Sequence, residues 1–173
     1  MKNKVIIVRE QDELVAACCV PFEGEFVKEI GKIDLFLNTT EIIETIASWH
    51  SQKKFKGEFV QVDSEHSVGS AAFGASITGA RVFTATSSQG LMLMHELLPI
   101  ISGCRTPMVM ATVSRCLSAP IGLWPDHNDT LAMRDAGWIM FICETNQEVL
   151  DSIIMGYKIS ENKKILLPVI VNM

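Results

Sequence analysis

Pro107-Met108-Val109-Met110-Ala111-Thr112-Val113 is apolar at nearly every position. A strand with one wet face alternates polar and apolar residues, so a run without alternation belongs inside a sheet covered on both sides, as parallel sheets are. Strand-like stretches recur at Phe59-Val60-Gln61-Val62, Arg81–Thr86, Trp138–Cys143 and Ile165–Val171. Helical spacing falls between them. Ser64 is placed to cap a helix whose small-residue face is Val68, Ala71, Ala72, Ala75 and Ala80. Leu91–Ile101 has helical periodicity and is ended by Gly103, and further helices are expected at Asp129–Ala136 and Gln147–Tyr157. Ser87-Ser88-Gln89-Gly90 is expected to be a polar, flexible turn. The alternation predicts an α/β fold, a mainly parallel sheet with helices on both faces.

Residues 1–57 are less regular. Lys4–Val8 is expected to be a strand and Thr40–His50 an amphipathic helix capped by Thr39 or Thr40, with 53–57 a solvated connector. With no repeat, low-complexity tract or linker, the 173 residues are expected to form one domain. The last residues, Leu166–Met173, are strand-like with no polar tail, which leads us to expect either a continuing polypeptide or a partner over this end. Mean hydropathy is +0.26, yet no run approaches the roughly 18 apolar residues of a membrane span. The apolar excess points instead to a deeply buried sheet or a subunit interface. Fifteen Lys and Arg stand against 20 Asp and Glu, a net charge of -5 without the basic footprint of nucleic-acid binding. The N-terminus lacks the pattern of a secretory signal, so a cytoplasmic protein is expected. Five cysteines and four histidines show no metal-ligand spacing, and no metal or iron–sulfur site is expected within the chain.

Three polar stretches are candidates for chemistry, and no phosphate-binding loop, dinucleotide fingerprint or serine-hydrolase elbow competes with them. Asp63-Ser64-Glu65-His66-Ser67 sits at a strand-to-helix junction, where ligands collect in open α/β sheets. Its plainer explanation is that Ser64 and Glu65 cap a helix. Ser114-Arg115 with Trp124-Pro125-Asp126-His127-Asn128-Asp129 makes a long loop suited to a substrate. Its plainer explanation is an exposed arginine paired with Asp126 or Asp129. Thr84–Gly90 is positioned to offer backbone N–H groups to an anion, or is simply a turn.

The ordered set Glu58–Ser67, Gly74-Ala75-Ser76, Gly79–Gly90 and Met94-His95-Glu96 resembles the alpha subunit of 2-oxoacid:ferredoxin oxidoreductases. Ser114–Pro120, Trp124–Asp129 and Arg134–Trp138 resemble its pyruvate synthase branch in particular. The resemblance covers about residues 58–173 and implies the pyrimidine-binding domain of a thiamine diphosphate enzyme. It implies that Glu65 hydrogen-bonds N1′ of the aminopyrimidine and favours the tautomer that deprotonates the thiazolium C2, which only a proton-exchanging group can do. It implies that Arg115 holds the 2-oxoacid carboxylate as a bidentate pair. It further implies CoA-dependent oxidation of pyruvate to acetyl-CoA with electrons passing to ferredoxin. A beta subunit would hold the Mg²⁺ and diphosphate, and iron–sulfur clusters would reside in partner subunits, with gamma and delta subunits completing the complex.

Three features depart from that family. The Gly-Asp-Gly…Asn segment that binds Mg²⁺ and the cluster cysteines are absent. The N-terminal substrate motif Tyr-Pro-Ile-Thr-Pro is not recognisable, and Leu37 aligns where its threonine stands. Family alpha subunits are also considerably longer. The alternatives kept open are an oxidoreductase for another 2-oxoacid, a non-catalytic assembly or regulatory paralogue, and a stand-alone small-molecule-binding domain.

Overall fold

The computed structural model describes residues 16–17, 39–54, 58–60, 62–120, 122 and 124–173. The apolar runs form short strands: β2 (Phe83–Thr86), β3 (Val109–Thr112), β4 (Ile139–Ile142) and β5 (Val169–Asn172). A two-residue β1 (Ala16–Ala17) pairs antiparallel with β2. The order is β1-β2-β3-β5-β4, and every pairing after the first is parallel. Phe83 lies opposite Val109 and Val109 opposite Val169. Consequently Ala85, Ala111 and Val171 form one row across the sheet, and Thr86, Thr112 and Asn172 the next. All positions of β2, β3 and β5 are buried, the polar Thr84, Thr86, Thr112 and Asn172 among them. At the β4 edge Ile142 remains 55% exposed.

Helices α1 (Thr39–Ser51), α2 (Glu65–Ile77), α3 (Ser88–Met94), α4 (Leu97–Gly103), α5 (Asn128–Ala132) and α6 (Asn146–Ser160) cover both faces. A 3₁₀ turn, Arg134–Ala136, follows α5. Small residues let these helices approach closely. A Cβ on Gly156 of α6 would stand 3.2 Å from Val169 Cγ1 and 3.4 Å from Val109 Cγ2. Tyr157 then reaches past the sheet to donate to the Val82 carbonyl at 3.0 Å. Ile46, Leu91, Met94, Leu98 and Ile101 are fully buried beneath the helices, each worth about 1.5–3 kcal/mol of apolar burial. Among the described residues no helix is long and apolar enough to cross a membrane.

Four local expectations are corrected. Residues 58–60 and 62 form no strand. Both edges of β2 are taken by β1 and β3, while Phe59 stacks on His50 with ring centroids 5.9 Å apart. The helix expected over Leu91–Ile101 is two helices, broken at His95–Glu96. Pro99 has no N–H for the His95 carbonyl and its ring crowds that position, so a continuous helix is lost there. Ser87–Gly90 is not a flexible turn: Ser87 flanks α3, and Ser88–Gly90 form its first turn. The helix expected to reach Ala136 stops at Ala132, and the 3₁₀ turn leads into Gly137 at φ 77, a left-handed conformation glycine adopts freely. The expected strand at 4–8, Leu37 and part of the 53–57 connector lie outside the described residues.

Candidate active site

Because β2, β3, β5 and β4 run parallel, their carboxyl ends share one edge of the sheet. Ser64 caps α2 by accepting from the Ser67 N–H at 3.2 Å. The cap therefore belongs to Ser64, and Glu65, the first helical residue, turns its carboxylate toward the end of β2. A Cβ placed on Gly90 would lie 2.7 Å from Glu65 Oε1 and 2.6 Å from Thr86 Oγ1. Glu65 thus rests against Gly90, between the end of β2 and the start of α3. Its neighbour His66 faces Glu96 at 3.5 Å, both side chains well exposed.

Arg115 follows β3 by way of Val113 and Ser114. It is partly buried, and its Nε is fully enclosed without an acceptor among the described residues. Neither Asp126 nor Asp129 forms an ion pair with it among the described residues. Asp126 instead accepts from Asn128 N at 2.7 Å and Asn128 Nδ2 at 2.8 Å, a local turn contact. The plainer account of Arg115 as an exposed surface ion pair is not what the fold builds.

Asp129, expected either as part of a substrate loop or as a partner for Arg115, is wholly buried. Its Oδ2 accepts from Ser88 N at 2.8 Å and from Arg115 N at 3.4 Å. Its Oδ1 accepts from Ser114 Oγ and from Thr130 N, each at 2.7 Å. Beside it Asn172 Nδ2 donates to Thr112 Oγ1 at 3.0 Å, to Thr130 Oγ1 at 2.7 Å and to Ser114 Oγ. The buried Asn172 Oδ1 has no partner among the described residues. The sequence signal for this cluster was present: one asparagine closing an apolar strand must find donors and acceptors when buried. In the Thr84–Gly90 stretch considered as an anion cradle two amides are engaged, Ser88 N with Asp129 and Gly90 N with the Ser87 carbonyl at 3.0 Å.

No three His, Cys, Asp or Glu side chains among the described residues converge as a metal-ligand group. Cys143 is buried, and burial pushes its thiol above the ordinary range; a hydrogen bond to Ser152 opposes that and nearby Glu148 adds to it. That makes it a poor nucleophile rather than a catalytic one.

Relatives and solved structures agree with this architecture. The chain is 54% identical over 132 residues to pyruvate synthase subunit PorA of Methanocaldococcus jannaschii, covering 76% of this chain and 34% of that one. It is 48% identical over 126 residues to ketoisovalerate oxidoreductase subunit VorA of Pyrococcus horikoshii, covering 73% and 32%. It therefore spans about a third of the length of these curated relatives. The fold superimposes with a TM-score of 0.67 on 2-oxoglutarate:ferredoxin oxidoreductase from Magnetococcus marinus, at 24% identity, over 94% of this chain and 30% of that one. Residues 39–173 match the family described as "Pyruvate flavodoxin/ferredoxin oxidoreductase, thiamine diP-bdg", and the chain belongs to that family.

Proposed function

We propose that this chain is a single pyrimidine-binding domain forming one wall of a thiamine diphosphate site in a pyruvate:ferredoxin oxidoreductase. The observation that carries the reading is Arg115 Nε, enclosed without an acceptor among the described residues at the sheet edge that also holds Glu65. An unpaired buried donor is costly, and a bound carboxylate is the acceptor that a guanidinium matches best. The residues present suit half of the cofactor site. Glu65 would meet the aminopyrimidine and hold or exchange a proton at N1′, and Arg115 would orient the 2-oxoacid carboxylate. When bound, thiamine diphosphate supplies the electron sink for decarboxylation that side chains lack.

On this reading a beta subunit holds the Mg²⁺ and diphosphate, and partner subunits, gamma and delta among them, carry iron–sulfur clusters to ferredoxin. The complex would act in the cytoplasm. Pyruvate is favoured as substrate by the 54% identical PorA relative. The 48% identical VorA relative supports a second reading, a branched 2-oxoacid in place of pyruvate.

The test is CoA-dependent reduction of a viologen dye by the anaerobically purified complex containing the full-length subunit, with pyruvate and 3-methyl-2-oxobutanoate compared. Glu65→Gln should nearly abolish turnover, and Arg115→Ala should raise KM for the oxoacid more than it weakens cofactor affinity. Native rates in Glu65→Gln would refute the proton role, and equal loss of substrate and cofactor affinity in Arg115→Ala would refute the carboxylate role. Faster turnover of the branched substrate would select the second reading.

A further inference from the structure

We propose that Asp129 is a positioning residue that sets the backbone on both sides of this site at once, an inference that rests on the roles proposed for Glu65 and Arg115. Its side chain is fully buried, and a buried carboxylate is tolerated only when its acceptor capacity is filled. Three of its four donors are backbone N–H groups, those of Ser88, Arg115 and Thr130. The fourth is the Ser114 hydroxyl. One oxygen, Oδ2, receives both Ser88 N and Arg115 N.

Each of these two amides leads to one half of the site. Ser88 has φ 46, a left-handed conformation that side chains with a Cβ disfavour. It is held there by its N–H to Asp129 and by its hydroxyl, which donates to the Cys116 carbonyl at 2.8 Å. That conformation begins α3 and carries Gly90 against the Glu65 carboxylate. On the other side, the Arg115 amide fixes the origin of the side chain whose Nε is enclosed. A carboxylate suits this place and an amide does not. Whichever way Asn is turned, its NH₂ group faces a backbone N–H, Ser88 and Arg115 on one side or Thr130 on the other.

The test uses Asp129→Asn in the full-length subunit within its assembled complex, with rates normalised to assembled complex. Amide hydrogen exchange should rise roughly tenfold in the segments 86–90 and 114–117, the factor that loss of one net hydrogen bond corresponds to. Exchange in α6 should not change. KM for pyruvate should rise while kcat falls, with kcat/KM lowered roughly 100-fold, as for a displacement of about 1 Å. Ser102→Ala, which removes a buried hydroxyl donating to the Ala136 carbonyl at 2.6 Å, is the control. It should lower thermal stability and leave both kinetic constants native.

Native kcat and KM in Asp129→Asn overturn the proposal, as does an exchange increase spread evenly through α6. Asp129→Glu keeps both acceptor oxygens on a longer arm and is the second variant. It should assemble with KM still displaced; a native KM there, or failure of both variants to assemble, overturns a positioning role. If Glu65→Gln and Arg115→Ala both turn over normally, the functional reading falls instead. The exchange result then still decides whether Asp129 holds the two segments.

Discussion

Gly90→Ala is the sharpest single perturbation the geometry offers. The added methyl would stand 2.6 Å from Thr86 Oγ1, 2.7 Å from Glu65 Oε1 and 2.9 Å from Glu65 Cγ. An ordinary non-bonded contact needs about 3.5 Å, so the Glu65 carboxylate must retreat by roughly 0.8 Å or α3 must move away from it. Thr86 ends a buried strand and has little room to give, so Glu65 is the group expected to move. Two stability terms oppose each other. Overpacking costs about 1–3 kcal/mol, and replacing a helical glycine with alanine returns about 1 kcal/mol. The net loss is therefore about 0–2 kcal/mol, small enough for the variant to fold. Catalysis has no such compensation, because a displacement near 1 Å costs roughly 100-fold in rate. Thermal unfolding of the full-length subunit should thus shift only slightly, while kcat of the assembled complex with saturating pyruvate falls about two orders of magnitude. Wild-type kcat in a folded Gly90→Ala complex would show that the Glu65 position against Gly90 has no part in turnover.

Gly69→Ala provides the contrast. Its Cβ would meet Leu97 Cδ1 at 2.8 Å, the end of a flexible side chain, so a gain of about 1 kcal/mol in helix propensity should nearly cancel the repacking and leave the denaturation midpoint almost unchanged. Trp138→Phe removes the indole N–H that donates to the Leu98 carbonyl at 2.8 Å and should lower unfolding free energy by about 1–3 kcal/mol, with activity per folded complex retained. Cys143, whose thiol is pushed up by burial, should react with a disulfide reagent far more slowly than exposed Cys104 at mildly alkaline pH; equal labelling rates would contradict its burial. Because the folded state holds that proton more tightly than the unfolded chain, Cys143 stabilises the fold fully below the ordinary thiol range. The contribution disappears as pH rises through the raised value, and the alkaline limb of a stability profile should flatten in Cys143→Ser.

What the sequence disclosed depended on whether a residue's partners were local. The runs around Phe83, Val109 and Val169 announced strands because burial on both faces leaves few polar positions to confuse the pattern. Ser64 announced a helix start because its partner, Ser67 N, is three residues away. Phe59-Val60-Gln61-Val62 carried the same apolar signature, but hydrophobicity does not specify a pairing partner, and Phe59 and Val60 pack on the core without joining the sheet. The break before α4 was visible in Pro99 yet outweighed by the periodicity of the leucines and isoleucines around it. Arg115 was readable as a candidate because a polar residue after an apolar strand stands out, and Glu65 because it lies in the polar cluster around the Ser64 cap, although no strand precedes it among the described residues. The burial of Asp129 was not legible because its donors include Ser88 N, 41 residues earlier, together with the Ser114 hydroxyl and the Arg115 amide. A spacing argument cannot see a contact that only the closed sheet creates.

The row Thr86, Thr112 and Asn172 also acts as a ruler for the sheet. Apolar strands slide past one another at little chemical cost, and a displacement of one residue turns every side chain to the opposite face. Here such a slip of β5 would swing Asn172 away from Thr112, Ser114 and Thr130 and strand its amide among aliphatic groups. The polar margin beside the candidate site therefore supplies an alignment mark that the apolar positions of β3 and β5 lack.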